Sequence, residues 1–309
     1  MKLLIEMPTW LGDAVMASPA IENLLEEFSD ADVYAVGSTT SIGVLKNHPR
    51  ILNSYVLSKD YRSLFRVSKM IGKVDFFFSF RDTFRSYFFK LILSSKYKYS
   101  YSKKMNANLH QVEKYNQFIN ESLNSNKKSD KLLIYNENYK KFRKNRPILG
   151  INPGAKYGNA KQWYPQEFAK VAAKLSDRFD IIIFGSKSEI DVAKDIEEIL
   201  VNDDISNYEN LAGKTNISEL VNYISNLDLF ITGDSGPMHI AASFQIPTVS
   251  IFGPTNDIET SQWMNEKSMI VKKNLECQPC MKRTCPLNHH NCMKMVVASD
   301  VLRAVKTFN

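Results

Sequence analysis

Apolar runs and stretches of helical spacing alternate along the first half of the chain. The predicted elements are a strand (residues 2–7), a turn (8–12), a helix (14–28), two more strands (31–36 and 74–80) and an amphipathic helix carrying Phe84, Phe88 and Leu91. This alternation is typical of a parallel sheet with crossover helices. The first half is therefore predicted to be an α/β domain.

A polar, charge-rich segment at residues 124–146 interrupts the pattern, which then restarts. The predicted elements beyond it are strands at 148–152, 181–184, 229–232 and 248–252, and helices at 165–175, 188–200, 218–224, 235–244 and 298–308. Two such arrays predict an α/β fold of two doubly wound, Rossmann-like domains facing across a cleft. We assign residues 1–146 to the first domain and 147–309 to the second, and leave open whether the last helix packs back on the first domain.

Composition narrows the class of protein. The chain has 309 residues, 44% hydrophobic and 24% charged, which excludes a disordered chain and supports two buried cores.

Glu6 and Pro8 end the first apolar run too early for a signal peptide. The most apolar stretch, residues 76–93, carries four charged side chains and is a poor candidate for a membrane span. Four cysteines are too few for a disulfide scaffold. We expect a cytoplasmic protein.

The charge is unevenly distributed. Residues 1–150 contain 24 basic and 14 acidic side chains, whereas the remainder contains 16 and 19. A basic first half suits an anion-rich partner such as nucleic acid, phosphorylated lipid or a membrane, or it reflects a lysine-rich solubility surface. Lysine and tyrosine alternate in residues 96–104, a pattern that fits binding to sugar faces, phosphates or nucleic acid, or an edge strand protected by lysines.

In doubly wound sheets, ligands bind where strands turn into helices. The turn at residues 8–13 contains Gly12 and Asp13; Asp13 either caps the following helix or acts as a general base at the mouth of the cleft. The turn at 233–239 exposes backbone N–H groups at a helix start, where phosphate binds readily, with His239 one turn further on. The loop at 153–163 carries Lys161, which could neutralise a diphosphate.

The four cysteines lie close together in the sequence. Cys277, Cys280, Cys285 and Cys292 enclose His289 and His290, so the segment could form a structural zinc site. Free buried thiols or a redox-sensitive loop would give the same pattern. We assign no metal to the functional site.

Together these turns resemble the ADP-heptose:lipopolysaccharide heptosyltransferases of glycosyltransferase family 9, inverting enzymes with the GT-B fold. The resemblance is carried by residues 8–16 (PTWLGDAVM), 18–20 (SPA), 152–155 (NPGA), 160–163 (AKQW), 233–242 (GDSGPMHIAA) and 252–255 (FGPT), and by the cysteine-rich segment 277–292. The motifs occur in order through both predicted domains. Thr9 stands where the family commonly has Asn, and most of residues 55–131 match no family motif.

The resemblance implies a role for each matching residue. Asp13 would be the general base, and Thr9, Trp10, Gly12 and Arg85 would lie on the acceptor side. The residues implied on the donor side are Lys161, Ser235 and Gly236 at the phosphates, Asp234 and His239 shaping that pocket, Gly185 and Glu189 near the ribose, and Thr215 and Asn216 near the adenine.

The implied reaction transfers heptose from ADP-heptose to the first heptose of a lipopolysaccharide or lipooligosaccharide inner core. Inversion needs one base opposite the leaving group, and the sequence has no Asp-x-Asp pair suited to a catalytic metal, so we expect transfer without metal or cofactor. The basic half would face a phosphorylated lipid A–core acceptor, with peripheral membrane association and no nucleic acid. Alternatives are a heptosyltransferase for another core acceptor, a sugar-nucleotide epimerase of the same fold, and a non-enzymatic protein that binds anions or membrane surfaces.

Overall fold

The structure, a computed structural model, describes residues 1–103, 109–136, 141–142 and 145–308. Contacts divide the chain into two compact units, residues 1–137 and 138–309. In the second unit, the backbone amide of Phe142 donates to Asn226 Oδ1 at 2.9 Å. Residue 142 therefore lies with the second unit, although it precedes the predicted boundary at 146/147. The predicted roles of the two domains stay predictions.

Unit 1 is a parallel five-stranded sheet with the strand order β3-β2-β1-β4-β5. Its strands are β1 (Lys2–Glu6), β2 (Asp32–Gly37), β3 (Ile51–Val56), β4 (Val74–Ser79) and β5 (Ser95–Ser100). Its helices are α1 (Leu11–Met16), α2 (Ser18–Glu27), α3 (Thr39–Leu45), α4 (Arg62–Ile71), α5 (Phe84–Ile92) and α6 (Gln111–Leu123). The predicted doubly wound pattern is thus present in this unit.

The helix predicted at residues 14–28 is in fact part of two helices, which meet at Ala17. Pro19 has no backbone N–H, and its ring clashes with the carbonyl four residues earlier in a continuous helix. That carbonyl, of Val15, instead accepts a hydrogen bond from Ser18 Oγ at 2.7 Å. The break leaves α1 as a short helix directly after β1, with Asp13 in its first turn.

Residues 96–100 of the lysine- and tyrosine-rich segment lie in the edge strand β5, as one of the two interpretations predicted. Tyr97 and Tyr99 stack on Phe76 and Phe78 of β4, with ring centroids 4.9 and 4.8 Å apart. These rings are therefore engaged within the sheet. Residue 104, the last of the segment, lies outside the described residues.

The core of unit 1 lies between the sheet and its helices. Leu4, Leu64, Phe77 and Phe89 are all completely buried in it. Leu64 belongs to α4, a helix that the apolar pattern did not predict. β3 was not predicted either, because its half-exposed edge position tolerates the polar residues Asn53 and Ser54.

Unit 2 is a parallel six-stranded sheet with the order β11-β10-β9-β6-β7-β8. Its strands are β6 (Ile148–Asn152), β7 (Asp180–Ile183), β8 (Tyr208–Asn210), β9 (Leu229–Gly233), β10 (Thr248–Ile251) and β11 (Ser268–Val271). Its helices are α7 (Pro165–Leu175), α8 (Ile190–Asn202), α9 (Ile217–Ile224), α10 (Gly236–Ser243), α11 (Asp257–Thr260), α12 (Asn291–Lys294) and α13 (Ala298–Val305).

The final helix contributes to the core of unit 2. Val301, Ala304 and Val305 of α13 are buried in the same cluster as α7 and the central strands. Trp163, 1% exposed, joins this cluster and donates its indole N–H to the Val296 carbonyl at 2.8 Å. Among the described residues, no helix has the length and apolar character required to cross a membrane.

The packing of unit 1 predicts that substitutions at two phenylalanines change the free energy of unfolding by different amounts. Phe77→Ala should lower the free energy of unfolding by about 3–5 kcal/mol because it leaves a cavity in a closed core. Phe84→Ala, at a side chain 77% exposed, should change it by less than about 0.5 kcal/mol. Urea unfolding followed by circular dichroism measures both, and equal effects would contradict the assigned core.

Candidate active site

The central strands of unit 2 bring two predicted site loops together. β6 and β9 are neighbouring parallel strands in which Asn152 is paired with Thr232, so both end at the same edge of the sheet. Asn152 Nδ2 donates to Thr232 Oγ1 at 3.2 Å and to Ser235 Oγ at 3.1 Å. These bonds fix the start of α10 beside the loop that follows β6. The two motifs, about 80 residues apart in sequence, therefore form one constellation.

Lys161 and Asp234 form an ion pair within this constellation. The ammonium lies 2.5 Å from Asp234 Oδ2, and the two side chains are only 12% and 6% exposed. Thr255 Oγ1 donates to the same carboxylate oxygen at 2.6 Å. The pair places a largely buried cation beside the first residues of α10. Thr255 belongs to the FGPT motif, which indicates no site role for it, and only the structure places it beside Asp234.

The start of α10 presents backbone amides without a side-chain cap. Ser235 is the N-cap residue and its side chain makes no capping bond. Pro237 has no N–H and the Met238 N–H donates to the Ser235 carbonyl at 3.1 Å, which leaves the Gly236 N–H at the helix start for another acceptor. Gly236 is the first residue of the helix, and His239 is buried at 3% exposure one turn further on. This arrangement, a helix start next to a lysine, suits an oligophosphate.

Two of the remaining donor residues lie close to this edge. Glu189 Oε2 accepts the Ser186 backbone N–H at 2.6 Å, and its carboxylate packs so closely on Gly154 that a Cβ atom there would collide with it. The Gly185 carbonyl accepts the Gly213 N–H at 2.9 Å. Glu189 is therefore held against the loop that follows β6, on the side of β7.

Thr215 and Asn216 lie at a different helix start. Asn216 caps α9, accepting the Glu219 N–H at 3.0 Å, while Glu219 Oε2 accepts the Asn216 N–H at 2.8 Å. Thr215 directly precedes this capping box and is half-buried. These contacts account for Asn216 as a capping residue, and its role near adenine stays a prediction.

In unit 1, Asp13 lies in the first turn of α1. The N-cap residue is Trp10, 47% exposed, so the interpretation of Asp13 as the N-cap is wrong. The Tyr115 hydroxyl donates a hydrogen bond to the Asp13 carboxylate; burial, and then the Asp13 charge, raise the pKa of Tyr115 well above its usual value. Tyr115 therefore stays a neutral donor. No pattern in the sequence indicated it, because α6 is about 100 residues from Asp13.

The predicted acceptor residues fall into two groups. Thr9 and Trp10 are exposed at the turn before α1, and Gly12 is half-buried in the first turn of α1. The Thr9 carbonyl accepts Ser38 Oγ at 2.9 Å. Arg85 lies on α5, and its Nη2 donates to the carbonyls of Ser58 and Asp60 at 2.6 and 3.3 Å. Both groups lie beyond the carboxyl ends of strands of the same sheet, β1 and β4.

The four cysteines border one small cavity in unit 2 and form no disulfide. Burial, and then the neighbouring cysteines, raise the pKa of Cys292 to about 11. The backbone amide of His290, with others nearby, lowers the pKa of Cys285. His290 is engaged by the Ala160 carbonyl at 2.9 Å and the Tyr164 hydroxyl at 3.1 Å. In the part of the chain that the structure describes, no group of three or more His, Cys, Asp or Glu side chains is arranged to hold a metal ion.

Comparison with known proteins identifies the family. The family model "Glycosyltransferase family 9 (heptosyltransferase)" matches residues 69–291. Lipooligosaccharide heptosyltransferase 2 of Campylobacter jejuni subsp. jejuni serotype O:2 is 42% identical over 313 residues, covering 99% of this chain and 98% of that protein. The chain belongs to glycosyltransferase family 9. Membership confirms the resemblance inferred from the turn motifs.

Solved structures share the fold. Escherichia coli ADP-heptose lps heptosyltransferase II aligns with a TM-score of 0.82 at 20% identity, covering 99% of this chain and 98% of that one. The E. coli heptosyltransferase WaaC with ADP aligns with a TM-score of 0.78 at 13% identity, covering both chains completely. These matches confirm the predicted two-domain α/β fold of GT-B type.

The cysteine environment predicts an order of alkylation. At neutral pH, iodoacetamide should modify Cys285 before Cys292, because only the thiolate reacts and the Cys292 thiol is buried with a pKa of about 11. Raising the pH should increase the rate at Cys292 most. Peptide mass spectrometry over time measures the order. If all four thiols react only after a chelator is added, the cysteines bind a metal and are not free.

Proposed function

We propose that this chain transfers heptose from ADP-heptose to the first heptose of a lipopolysaccharide or lipooligosaccharide inner core, inverting the anomeric centre. Family membership supports an enzyme of this class. The observation that carries the donor assignment is the Lys161–Asp234 pair beside the uncapped start of α10. The names of the relatives support the donor and the acceptor, since they include lipooligosaccharide heptosyltransferase 2 and a heptosyltransferase solved with ADP.

The donor diphosphate would bind at the start of α10. Backbone N–H groups of Ser235 and Gly236 would bind its oxygens, and Lys161 would exchange part of its contact with Asp234 for phosphate. As the glycosidic bond breaks, ADP gains negative charge, which the helix start and the lysine stabilise. Asp234, held by Thr255, keeps Lys161 in place between turnovers. His239 shapes the wall of this pocket from inside α10.

The nucleoside would extend over the neighbouring strands. Gly185 and Glu189 follow β7, the strand next to β6, and Glu189 offers a carboxylate to ribose hydroxyls. Thr215 and Asn216, beyond β8, would lie near the adenine. Along the sheet, the strand order β9-β6-β7-β8 runs from the proposed phosphate site to the proposed adenine site. This order supports the four assignments.

Asp13 would remove the proton from the acceptor hydroxyl as that oxygen attacks the anomeric carbon. A transition state with oxocarbenium character needs little more than a positioned base and a stabilised leaving group, so we infer a metal-independent reaction. The neutral Tyr115 hydroxyl, bonded to Asp13, would hold the carboxylate in one orientation. Thr9, Trp10, Gly12 and Arg85 would contact the acceptor.

Asp13→Asn should lower kcat by about 10²–10⁴-fold, since it removes the base while preserving shape. ADP release with ADP-heptose and heptosylated lipid A–core acceptor in EDTA measures turnover, and calorimetry measures donor binding, which should be retained. Asp30→Asn, an exposed carboxylate in the same unit, is the matched control.

Equal activity of Asp13→Asn and wild type would exclude Asp13 as the base. Absence of ADP release with this acceptor but release with the unheptosylated core would favour the alternative core acceptor. Conversion of a sugar nucleotide without any acceptor would favour an epimerase, and donor binding without turnover would favour a binding protein.

We also propose peripheral membrane association through one face of unit 1. Tyr61, Phe65, Phe84, Tyr87 and Leu91 are each 45–77% exposed on or beside α4 and α5. Phe88 joins the two helices, since its ring lies 5.3 Å from that of Tyr61 and 5.7 Å from that of Phe65. Residues 59–98 contain ten basic and three acidic side chains. Exposed aromatic residues among basic side chains suit the surface of an anionic membrane.

The double variant Phe84→Ser/Leu91→Ser should lose most binding to vesicles containing about one third phosphatidylglycerol, and salt should weaken wild-type binding. Vesicle sedimentation measures both. Val201→Ser, at a side chain 56% exposed in unit 2, is the control. Wild-type protein that stays in the supernatant, or that forms a dimer through this face in analytical ultracentrifugation, would overturn the proposal.

A further inference from the structure

A buried carboxylate lies at the end of the first strand of unit 1. Glu6, the last residue of β1, is completely buried and pairs with Ser79 at the end of β4. Ser79 Oγ donates to Glu6 Oε2 at 2.7 Å, and Arg81 Nη1 lies 3.3 Å from Oε1. Burial raises the pKa of Glu6, against the opposing effects of Arg81, Ser79 and Arg85. Glu6 forms an ion pair with Arg81 and is a single carboxylate beside two arginines.

The second arginine is held by neutral groups. Arg85 Nη2 donates to the carbonyls of Ser58 and Asp60 and to Ser63 Oγ at 3.2 Å. The Asp60 carboxylate accepts from Ser58 and from the Ser63 amide. Burial, and then the positive charge of Arg81, lower the pKa of Arg85. No carboxylate forms an ion pair with Arg85 within the described ranges of unit 1.

Each of the two guanidinium groups has an unsatisfied donor. Nε of Arg81 and Nε of Arg85 are buried and make no hydrogen bond to any described residue. Buried polar groups are nearly always bonded, and neighbouring like charges raise the free energy of the folded state. The arrangement has two cations, one carboxylate and two N–H groups that have no partner among the described residues. An oxyanion would satisfy both the charge and the donors.

We propose that Arg81 and Arg85 form a subsite for an anionic group of the acceptor, a carboxylate or a phosphate, and that Glu6 is a positioning residue that orients Arg81. This inference rests on the proposed function for the identity of the bound molecule. The location favours the acceptor, because β1 leads to Asp13 and its neighbour β4 leads to Arg81 at the same sheet edge. Parallel strands place both turns side by side. An anion bound there would be fixed relative to the proposed base.

The test compares Arg81→Gln, Arg85→Gln and Glu6→Gln with the exposed control Lys73→Gln. Three water-soluble acceptor oligosaccharides are used: the intact one, one dephosphorylated and one with its sugar-acid carboxyls reduced. Each arginine variant should raise the acceptor KM at least about tenfold, with the ADP-heptose KM unchanged. The effect should vanish on whichever modified acceptor lacks the bound group, which distinguishes phosphate from carboxylate.

Glu6→Gln should raise the same acceptor KM by a smaller factor and spare kcat, and Glu6→Asp should restore part of the loss. A merely structural role would reduce activity equally on all three acceptors. An unchanged acceptor KM in both arginine variants, or a loss that persists on every modified acceptor, would overturn the subsite.

Calorimetric binding of the intact oligosaccharide without donor separates this inference from the proposed function. Binding that weakens in the arginine variants supports the subsite even if no turnover occurs, in which case the proposed reaction fails and the subsite stands. If turnover occurs and both arginine variants bind the oligosaccharide as tightly as wild type, the subsite fails and the proposed reaction stands. Circular dichroism confirms that each variant is folded.

Discussion

The structure depends on the side-by-side pairing of central parallel strands. In unit 1, β1 pairs with β4, and in unit 2, β6 pairs with β9, so each pair delivers two loops to one sheet edge. Parallel pairing requires a crossover helix between strands and leaves every carboxyl end pointing the same way. Asp13 and Arg81 share one edge by this rule, as Lys161 and Ser235 share the other. The chemistry of each unit follows from the strand order.

The functional edges of the two sheets differ in how their buried charges are compensated. In unit 2, Lys161 and Asp234 neutralise each other, and Thr255 supplies a further donor to the carboxylate. In unit 1, Arg81 and Arg85 face one buried carboxylate whose pKa is raised. Removing a charge from water is unfavourable unless a partner compensates for it. The Lys161–Asp234 pair is neutral without a ligand, whereas the cluster of Arg81, Arg85 and Glu6 retains an excess of positive charge.

Several parts of the site could be predicted from sequence because they are local. A glycine-containing turn after an apolar strand marks a ligand loop, and such turns contain Asp13, Asp234 and Ser235. Partners from distant elements could not be predicted. Tyr115 reaches Asp13 from α6, and Thr255 reaches Asp234 from the loop after β10. In the sequence Glu6 is the polar end of a strand. Its complete burial, and its position beside Ser79 of β4, depend on the pairing of β1 with β4.

The sequence by itself determined the alternation of strands and helices and the two-array organisation, because apolar periodicity is a local property. The motifs in the turns carried the resemblance to the family. The sequence also marked the cysteine cluster and the basic character of the first half. The tertiary structure decided which loops meet, which arginine pairs with Glu6 and which cysteine is buried. These depend on strand order and on burial, and both are set by contacts between residues far apart in the chain. Local pattern therefore predicted many of the elements, though not α4 or β3, and long-range packing decided the electrostatics of the site.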